Sequence, residues 1–332
     1  MFKGKGFSNI ALIKYMGKSI AAINDPTNAS LSLTLPGLFT EVQLTEKTTG
    51  EDDWSDLDGH GFLPIQLSEK GKTKFLNYLK SMKQEFGIEK SFSIRSANNF
   101  PSDCGIASSA SSFSALTLAF AQYLKSKEIV VPMLELALLS KKGSGSSCRS
   151  FFGPWTYWKG NEVCQRKFSF IPGWHQVVIV DSKTKNVSSS EAHLLVTSSS
   201  HFLGRVERAE SRLQELSLLL AQPLAAGEKW NRAFKICWDE FMDMHHLFHT
   251  AKDPFFYWSE NTVTALKYIS ELWKKNSDGP LVTMDAGPNL HLIYRNDQQK
   301  LKSQVTKELS GLSHEPNQFT ILETELHADF RI

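Results

Sequence analysis

Cysteine is scarce: four residues in 332, Cys104, Cys148, Cys164 and Cys237, none paired as C-x-x-C. So few thiols fit a reduced compartment better than a disulfide framework, and free thiols are expected. No apolar run approaches the roughly 18 residues that span a bilayer, and the N-terminus lacks the apolar core of a signal peptide, so a soluble cytoplasmic protein is expected. An excess of one charge is also missing. The chain carries 37 Lys and Arg against 35 Asp and Glu, without a long basic run. Neither nucleic acid nor an anionic membrane is therefore expected as the main partner, and any basic site must be local. There is no internal repeat and no low-complexity linker; the most polar stretch, Thr48 to Gly61, reads as a surface loop. A chain of this length exceeds the usual size of one core, which makes two domains the expectation.

What is present centres on the small-residue stretch Asn98 to Ala110. Before it, Ser91 to Ser96 alternates apolar and polar as a half-buried strand does; after it, Phe113, Leu116, Phe120 and Tyr123 recur at helical spacing. Strand, loop and helix follow in that order. Gly105 permits unusual backbone angles, and Ala107, Ser108, Ser109 and Ala110 are small enough to let an anion approach the N–H groups and positive end of the helix. Either this is a phosphate cradle or it is a Ser/Ala-rich cap on a buried helix. It is not a P-loop, because G-x-x-x-x-G-K-[ST] requires a lysine that is absent.

Three other segments carry short polar side chains. Lys14-Tyr15-Met16-Gly17-Lys18 lies between the strands Phe7 to Lys14 and Leu31 to Leu35, where the two lysines either pair with phosphates or sit on a solvated hairpin tip. Phe39 to Leu44 reads as a third strand of the opening meander. Gly143 to Ser150 combines glycines, hydroxyls and Arg149, whose planar fork suits a carboxylate or phosphate; the other reading is a flexible connector, although Phe151, Phe152 and Trp155 follow at once. Met284 to Asn289 links the strands Leu281 to Met284 and Leu290 to Tyr294. There Asp285 either stabilises its own turn or acts as a base beside cations. Further strands are expected at Trp174 to Asp181 and Ile321 to Leu326. Helices are expected at Lys70 to Phe86, Ser200 to Leu220, Glu228 to Thr250 and Ser259 to Lys275, with Val187 to His193 a polar bend between the halves. His245 and His249 stand one helical turn apart, but without the H-E-x-x-H glutamate they read as helix packing rather than a zinc site. Both halves are α+β.

Asn9 to Lys18, Asn28 to Ser32, Phe100 to Ala110, Gly143 to Ser150 and Met284 to Asn289, in this order, resemble the GHMP kinase superfamily. Within it they are most similar to the diphosphomevalonate decarboxylase family. The resemblance implies two domains, residues 1–186 and 187–332. The first would be ribosomal-S5-domain-2-like with a left-handed βαβ unit, the second ferredoxin-like, and the active cleft would lie between them. It implies ATP as co-substrate with Mg2+, transient phosphorylation of the 3-hydroxyl of mevalonate 5-diphosphate, and loss of phosphate and carbon dioxide to give isopentenyl diphosphate. By position in the motifs, Asp285 would be the base or charge partner at that hydroxyl, with Lys14 lowering its pKa, and Arg149 would hold the carboxylate. Tyr15, Lys18, Ser144 and Ser146 would bind substrate, and Gly105, Ala107, Ser108 and Ser109 the ATP phosphates, with Ser108 or Ser109 towards the metal. A homodimer is the expected assembly.

Two departures bear on the substrate. Met16 replaces the family's usual tryptophan, and Ser188 to His193 offers Glu191 and His193 where relatives show Gly-Met or a basic residue. If diphosphate is bound, Lys18, Lys14, Arg205 or protonated His193 must offset Glu191. The alternatives are a GHMP kinase or decarboxylase acting on mevalonate or its monophosphate, or a non-catalytic ligand-binding protein on the same fold. Retention of Asp285, Arg149 and both small-residue loops argues against the last.

Overall fold

The computed structural model describes residues 1–59, 61–63, 65, 67–101, 108–181, 186–312 and 319–326. β1 (Phe2–Ile13) turns through a short ribbon, β2 (Lys18–Ile20) and β3 (Asp25–Pro26), into β4 (Ser30–Glu46), its antiparallel partner. Leu31 to Leu35 and Phe39 to Leu44, expected as two strands, are one. The register passes from Phe7 opposite Phe39 to Ser8 opposite Leu35, so Pro36, which has no N–H for the ladder, falls in a bulge. β5 (Asp53–Asp56), α1 (Glu69–Glu85) and β6 (Phe92–Asn98) form a parallel βαβ unit. In α1 the buried residues Phe75, Tyr78, Leu79 and Met82 recur at helical spacing along one stripe.

α2 (Ser108–Ser126) and α3 (Met133–Gly143) follow, then the hairpin β7 (Trp155–Lys159) and β8 (Glu162–Arg166). The six-stranded sheet runs β5-β6-β4-β7-β8 with β1 on β4. α2 rides directly on β1, because a Cβ at Gly4 or Gly6 would fall 2.0 Å from Ala115 O or 2.2 Å from Ser111 O.

β9 (Trp174–Ile179) precedes the boundary expected between residues 186 and 187, yet it belongs to the second sheet. It pairs with β11 (Leu290–Tyr294) and β12 (Thr320–Glu325), and β10 (Leu281–Met284) completes the order β10-β11-β9-β12, antiparallel throughout. The helices of this half are α4 (Ser189–Leu195), α5 (Arg205–Leu220), α6 (Glu228–His249), α7 (Glu260–Asn276) and α8 (Gln299–Gly311). α5 starts later than expected because Gly204, at φ +76°, holds a left-handed conformation that no helix continues through. The expected polar bend at Val187 to His193 is instead the start of α4. Ser188 Oγ accepts from the Glu191 N–H while the Glu191 carboxylate accepts from the Ser188 N–H, a capping box.

One apolar core runs through both sheets, taking Ile10 and Leu12 from β1, Leu33 from β4, Val177 from β9, Leu292 from β11 and Phe241 from α6. A second, built on Leu79, Phe92, Leu116 and Phe120, fills the space among α1, α2 and β6. α6 packs against both β1 and β10. Among the described residues no helix is long and apolar enough to cross a membrane.

Candidate active site

β1 and β10 end side by side over α6, and the residue after each end carries charge. Lys14 Nζ donates to Asp285 Oδ1 at 2.8 Å, closing a contact across 271 residues of sequence. Lys14 is 2% exposed and the Asp285 side chain 25%. Burial alone would raise the Asp285 carboxyl, but the Lys14 ammonium, helped by His291 and Arg149, holds it below the ordinary carboxylate range. Burial likewise pulls Lys14 down, against the pull of Asp285 in the other direction. The result is an ionised carboxylate at the wall of a cavity.

Arg149 reaches the same place from the 3-10 turn Gly145–Phe151, which follows α3. It is buried, and its Nε has no hydrogen-bond partner among the described residues. A buried guanidinium with donors to spare is costly unless an anion completes it, and its fork matches a carboxylate. The turn is fixed from β1: Asn9 Nδ2 donates to Ser146 O at 3.2 Å and to Ser150 Oγ at 2.8 Å. Ser109 Oγ stands 3.2 Å from Ser144 Oγ, itself 3.5 Å from Ser146 Oγ, so the two small-residue loops of the sequence meet. α2 has no acidic residue in its first turn, which leaves its positive end without a competing anion there.

Tyr15 stacks on His193 with ring centroids 4.0 Å apart, and its buried hydroxyl has no partner among the described residues. His193 Nδ1 accepts from the Gly17 N–H at 3.1 Å, which puts the ring proton on Nε2. Burial, with Lys18 and Arg149 nearby, pushes this histidine down to about 3. It is neutral and cannot supply the positive charge expected of it. Gly17 sits at φ +94°, and a Cβ there would meet the Phe202 ring at 2.7 Å. Met16 fills an apolar cluster with Met244, Leu247 and Phe248.

Lys14, Tyr15, Lys18, Ser108, Ser109, Ser144, Ser146, Arg149 and Asp285 all line one cavity of about 420 Å3. Gly105 and Ala107 lie outside the described residues. Ser188, Ser189, Ser190 and His193 form another wall, whereas Glu191 is committed to its cap. Arg205 is also absent from the lining: it is fully buried in an ion pair with Glu240. The cations at the cavity, among the described residues, are Lys14, Lys18, Arg149 and Lys74. Lys74 was not readable as a site residue, because on α1 it looks like any charge on an amphipathic helix. Its effect is felt by Lys18, which burial and the Lys74 charge together lower. The hydroxyls of Ser108 and Ser109 are hard oxygen donors at a helix start whose first turn carries no acidic residue, a donor set that suits Mg2+ shared with nucleotide phosphates.

Comparison with known proteins shows the family of the chain. The family model for the diphosphomevalonate decarboxylase-like N-terminal domain matches residues 6–169. A mevalonate diphosphate decarboxylase from Legionella pneumophila, of known crystal structure, is 40% identical, with a TM-score of 0.86 over 97% of this chain and 99% of the other. The diphosphomevalonate decarboxylase of Debaryomyces hansenii is 29% identical over 92% of this chain and 82% of its own. A solved complex of MDDEF with MVAPP, AMPPCP and magnesium is 25% identical, with a TM-score of 0.80 over 98% of this chain and 96% of the other. The two-sheet α+β architecture is the GHMP kinase fold, and the chain belongs to the diphosphomevalonate decarboxylase family.

Proposed function

We propose that this chain converts mevalonate 5-diphosphate and ATP to isopentenyl diphosphate, ADP, phosphate and carbon dioxide, with Mg2+. The observation that carries this reading is the Lys14–Asp285 pair facing the incomplete partner set of Arg149 across one cavity. Asp285, held ionised, accepts the proton of the substrate's 3-hydroxyl as that oxygen bonds to the terminal phosphorus of ATP and ADP leaves. Lys14 keeps the carboxylate charged and steadies the negative charge that gathers on oxygen. The tertiary C–O bond then breaks with its electron pair going to phosphate; the C–C electrons of the carboxylate close the alkene and carbon dioxide departs. Arg149 orients that carboxylate by its fork. Lys18, Tyr15, Ser144 and Ser146 hold the remainder of the substrate, and Ser108 and Ser109, with Gly105 and Ala107 before them, hold the nucleotide phosphates. Bound magnesium supplies charge neutralisation at the transferring phosphoryl.

In this reading residues 1–186 provide the phosphate loops, Lys14, Lys18 and Arg149, while residues 187–332 provide Asp285 and the His193 wall. A cytoplasmic setting is supported by the free thiols of Cys148, Cys164 and Cys237. A homodimer is supported by the apolar strip Val130, Met133 and Leu134, which is exposed on the monomer; light scattering tests it. The reaction is tested by supplying ATP and Mg2+ with mevalonate, its 5-phosphate or its 5-diphosphate, and following ADP and carbon dioxide together. Stoichiometric release of both from the diphosphate is expected. ADP release without carbon dioxide from all three acids would refute decarboxylation.

A further inference from the structure

Behind Lys14, and outside the lining of the cavity, lies a charge cluster. Arg205, fully buried, forms a fork on Glu240, with Nη2 to Oε1 at 2.5 Å and Nη1 to Oε2 at 3.1 Å. Arg212 bridges Glu240 at 2.8 Å and Asp243 at 2.7 Å, and Arg208 closes on Asp243 at 2.8 Å. A buried ion pair contributes little net stability over apolar side chains of similar size, so stability alone is a poor reason for this one. Its contacts supply another. β1 ends at Ile13, and from there the chain has no ladder to satisfy its buried peptide groups. Glu240 Oε1 accepts the Lys14 N–H at 2.9 Å, while Arg205 Nη2 donates to the Lys14 carbonyl at 3.2 Å. The pair thus grips both sides of the lysine's own backbone.

The same helix also holds the other partner. His245, fully buried on α6, has Nε2 3.1 Å from the Asp285 carbonyl oxygen; since a carbonyl only accepts, Nε2 is the donor. Glu240 and His245 are five residues apart, about 7.5 Å of helix rise.

We propose that α6 is a brace for the Lys14–Asp285 pair, with Glu240, locked by Arg205, positioning Lys14 and His245 positioning Asp285. This rests on Lys14 and Asp285 being the reacting pair. Glu240, Arg205 and His245 are positioning residues and touch no substrate.

The test uses the full chain in four variants. Arg205→Met with Glu240→Leu replaces the pair by apolar volume and removes the grip on Lys14. His245→Leu removes the donor to Asp285, His245→Gln restores a donor at the same reach, and Asp285→Asn is the control. The folded double variant and His245→Leu should each lose kcat on the order of 10²-fold, as ångström-scale misplacement does. KM for the acid and Kd for a non-hydrolysable ATP analogue should stay within about threefold, the signature of an interaction lost only in the transition state. His245→Gln should recover most of the kcat, which a loss of packing alone would not allow. Should the double variant fail to fold, the two His245 variants decide. Wild-type kcat in folded His245→Leu, or equal loss in Leu and Gln, overturns the brace while loss in Asp285→Asn leaves the active-site reading standing. Wild-type turnover in Asp285→Asn removes that reading and the brace with it.

Discussion

Lys14→Met keeps most of the lysine's length and apolar volume but deletes the ammonium 2.8 Å from Asp285 Oδ1. Two unit charges at that separation attract by about 6 kcal/mol at an effective dielectric of ~20. That figure is a ceiling, because the Asp285 side chain is 25% exposed and water screens part of it. Opposite charges this close shift a carboxyl by about 1 to 3 units, or about 1.4 to 4 kcal/mol. The sign is fixed by which form the cation favours. Lys14 stabilises the ionised carboxylate and holds its pKa down; without it, burial acts with less opposition and the pKa rises. A base works above its pKa, so the acid limb of kcat/KM should move to higher pH by about 1 to 3 units, on top of a lower plateau. The assay follows ADP and carbon dioxide from pH 4.5 to 8 for both enzymes. Ionisation of the substrate's own phosphates is common to the two and cancels in the difference. A folded Lys14→Met whose acid limb stays within about 0.3 unit of wild type would show that Asp285 does not carry the limb.

Arg149→Lys keeps the charge but loses the fork, so carbon dioxide release should fall at least about tenfold while ADP release persists; equal rates of both would remove Arg149 from the decarboxylation step. Because His193 is held down to about 3 by burial beside Lys18 and Arg149, His193→Gln should bind substrate with the same pH dependence as wild type between pH 6 and 8. A histidine-linked fall in affinity seen only in wild type would mean the ring is charged. Gly17→Ala forces a side chain into φ +94° and against Phe202. A loss of about 1 to 2 kcal/mol in denaturant unfolding is expected, with a raised KM for the acid as the N–H that anchors His193 shifts. Ser109→Ala should raise the Mg2+ and ATP requirements without altering the ratio of ADP to carbon dioxide; an altered ratio would place Ser109 at the acid instead.

Much of the site could be read from the chain because small-residue loops advertise themselves. Glycines, hydroxyls and one arginine stand between two apolar runs at Gly143 to Ser150, and the strand ends flanking Asp285 follow from two short, mostly apolar runs separated by the turn formers Asp, Gly, Pro and Asn. What the sequence hides is partnership. Lys14 and Asp285 are 271 residues apart, and no local pattern announces that they touch. Arg205, Arg208, Arg212, Glu240 and Asp243 lie on amphipathic helices, where charge normally means a solvated face, yet the first and fourth are fully buried. Lys74 is masked in the same way. The stretch Ser188 to Glu191 is different, since its signal was legible: Ser followed three residues later by Glu is a capping box, and that hydrogen-bonding need, not the ligand, dictates where Glu191 points. The merging of two expected strands into β4 has the opposite cause, a proline accommodated by a bulge that pattern alone treats as a stop.

The span between Lys14 and Asp285 also sets an order of events during synthesis. At about 5 to 20 residues per second, the carboxylate follows its lysine off the ribosome by about 14 to 54 s. Glu240 and Arg205, which secure the lysine's backbone, come late as well. Through that interval the sheet of the first half can pair while Lys14 lacks every anion it will later be buried with. Nascent chains stalled short of residue 285 should therefore be cut by trypsin after Lys14, and released full-length protein should not. Lys14 is among the first residues made and among the last to find its partners.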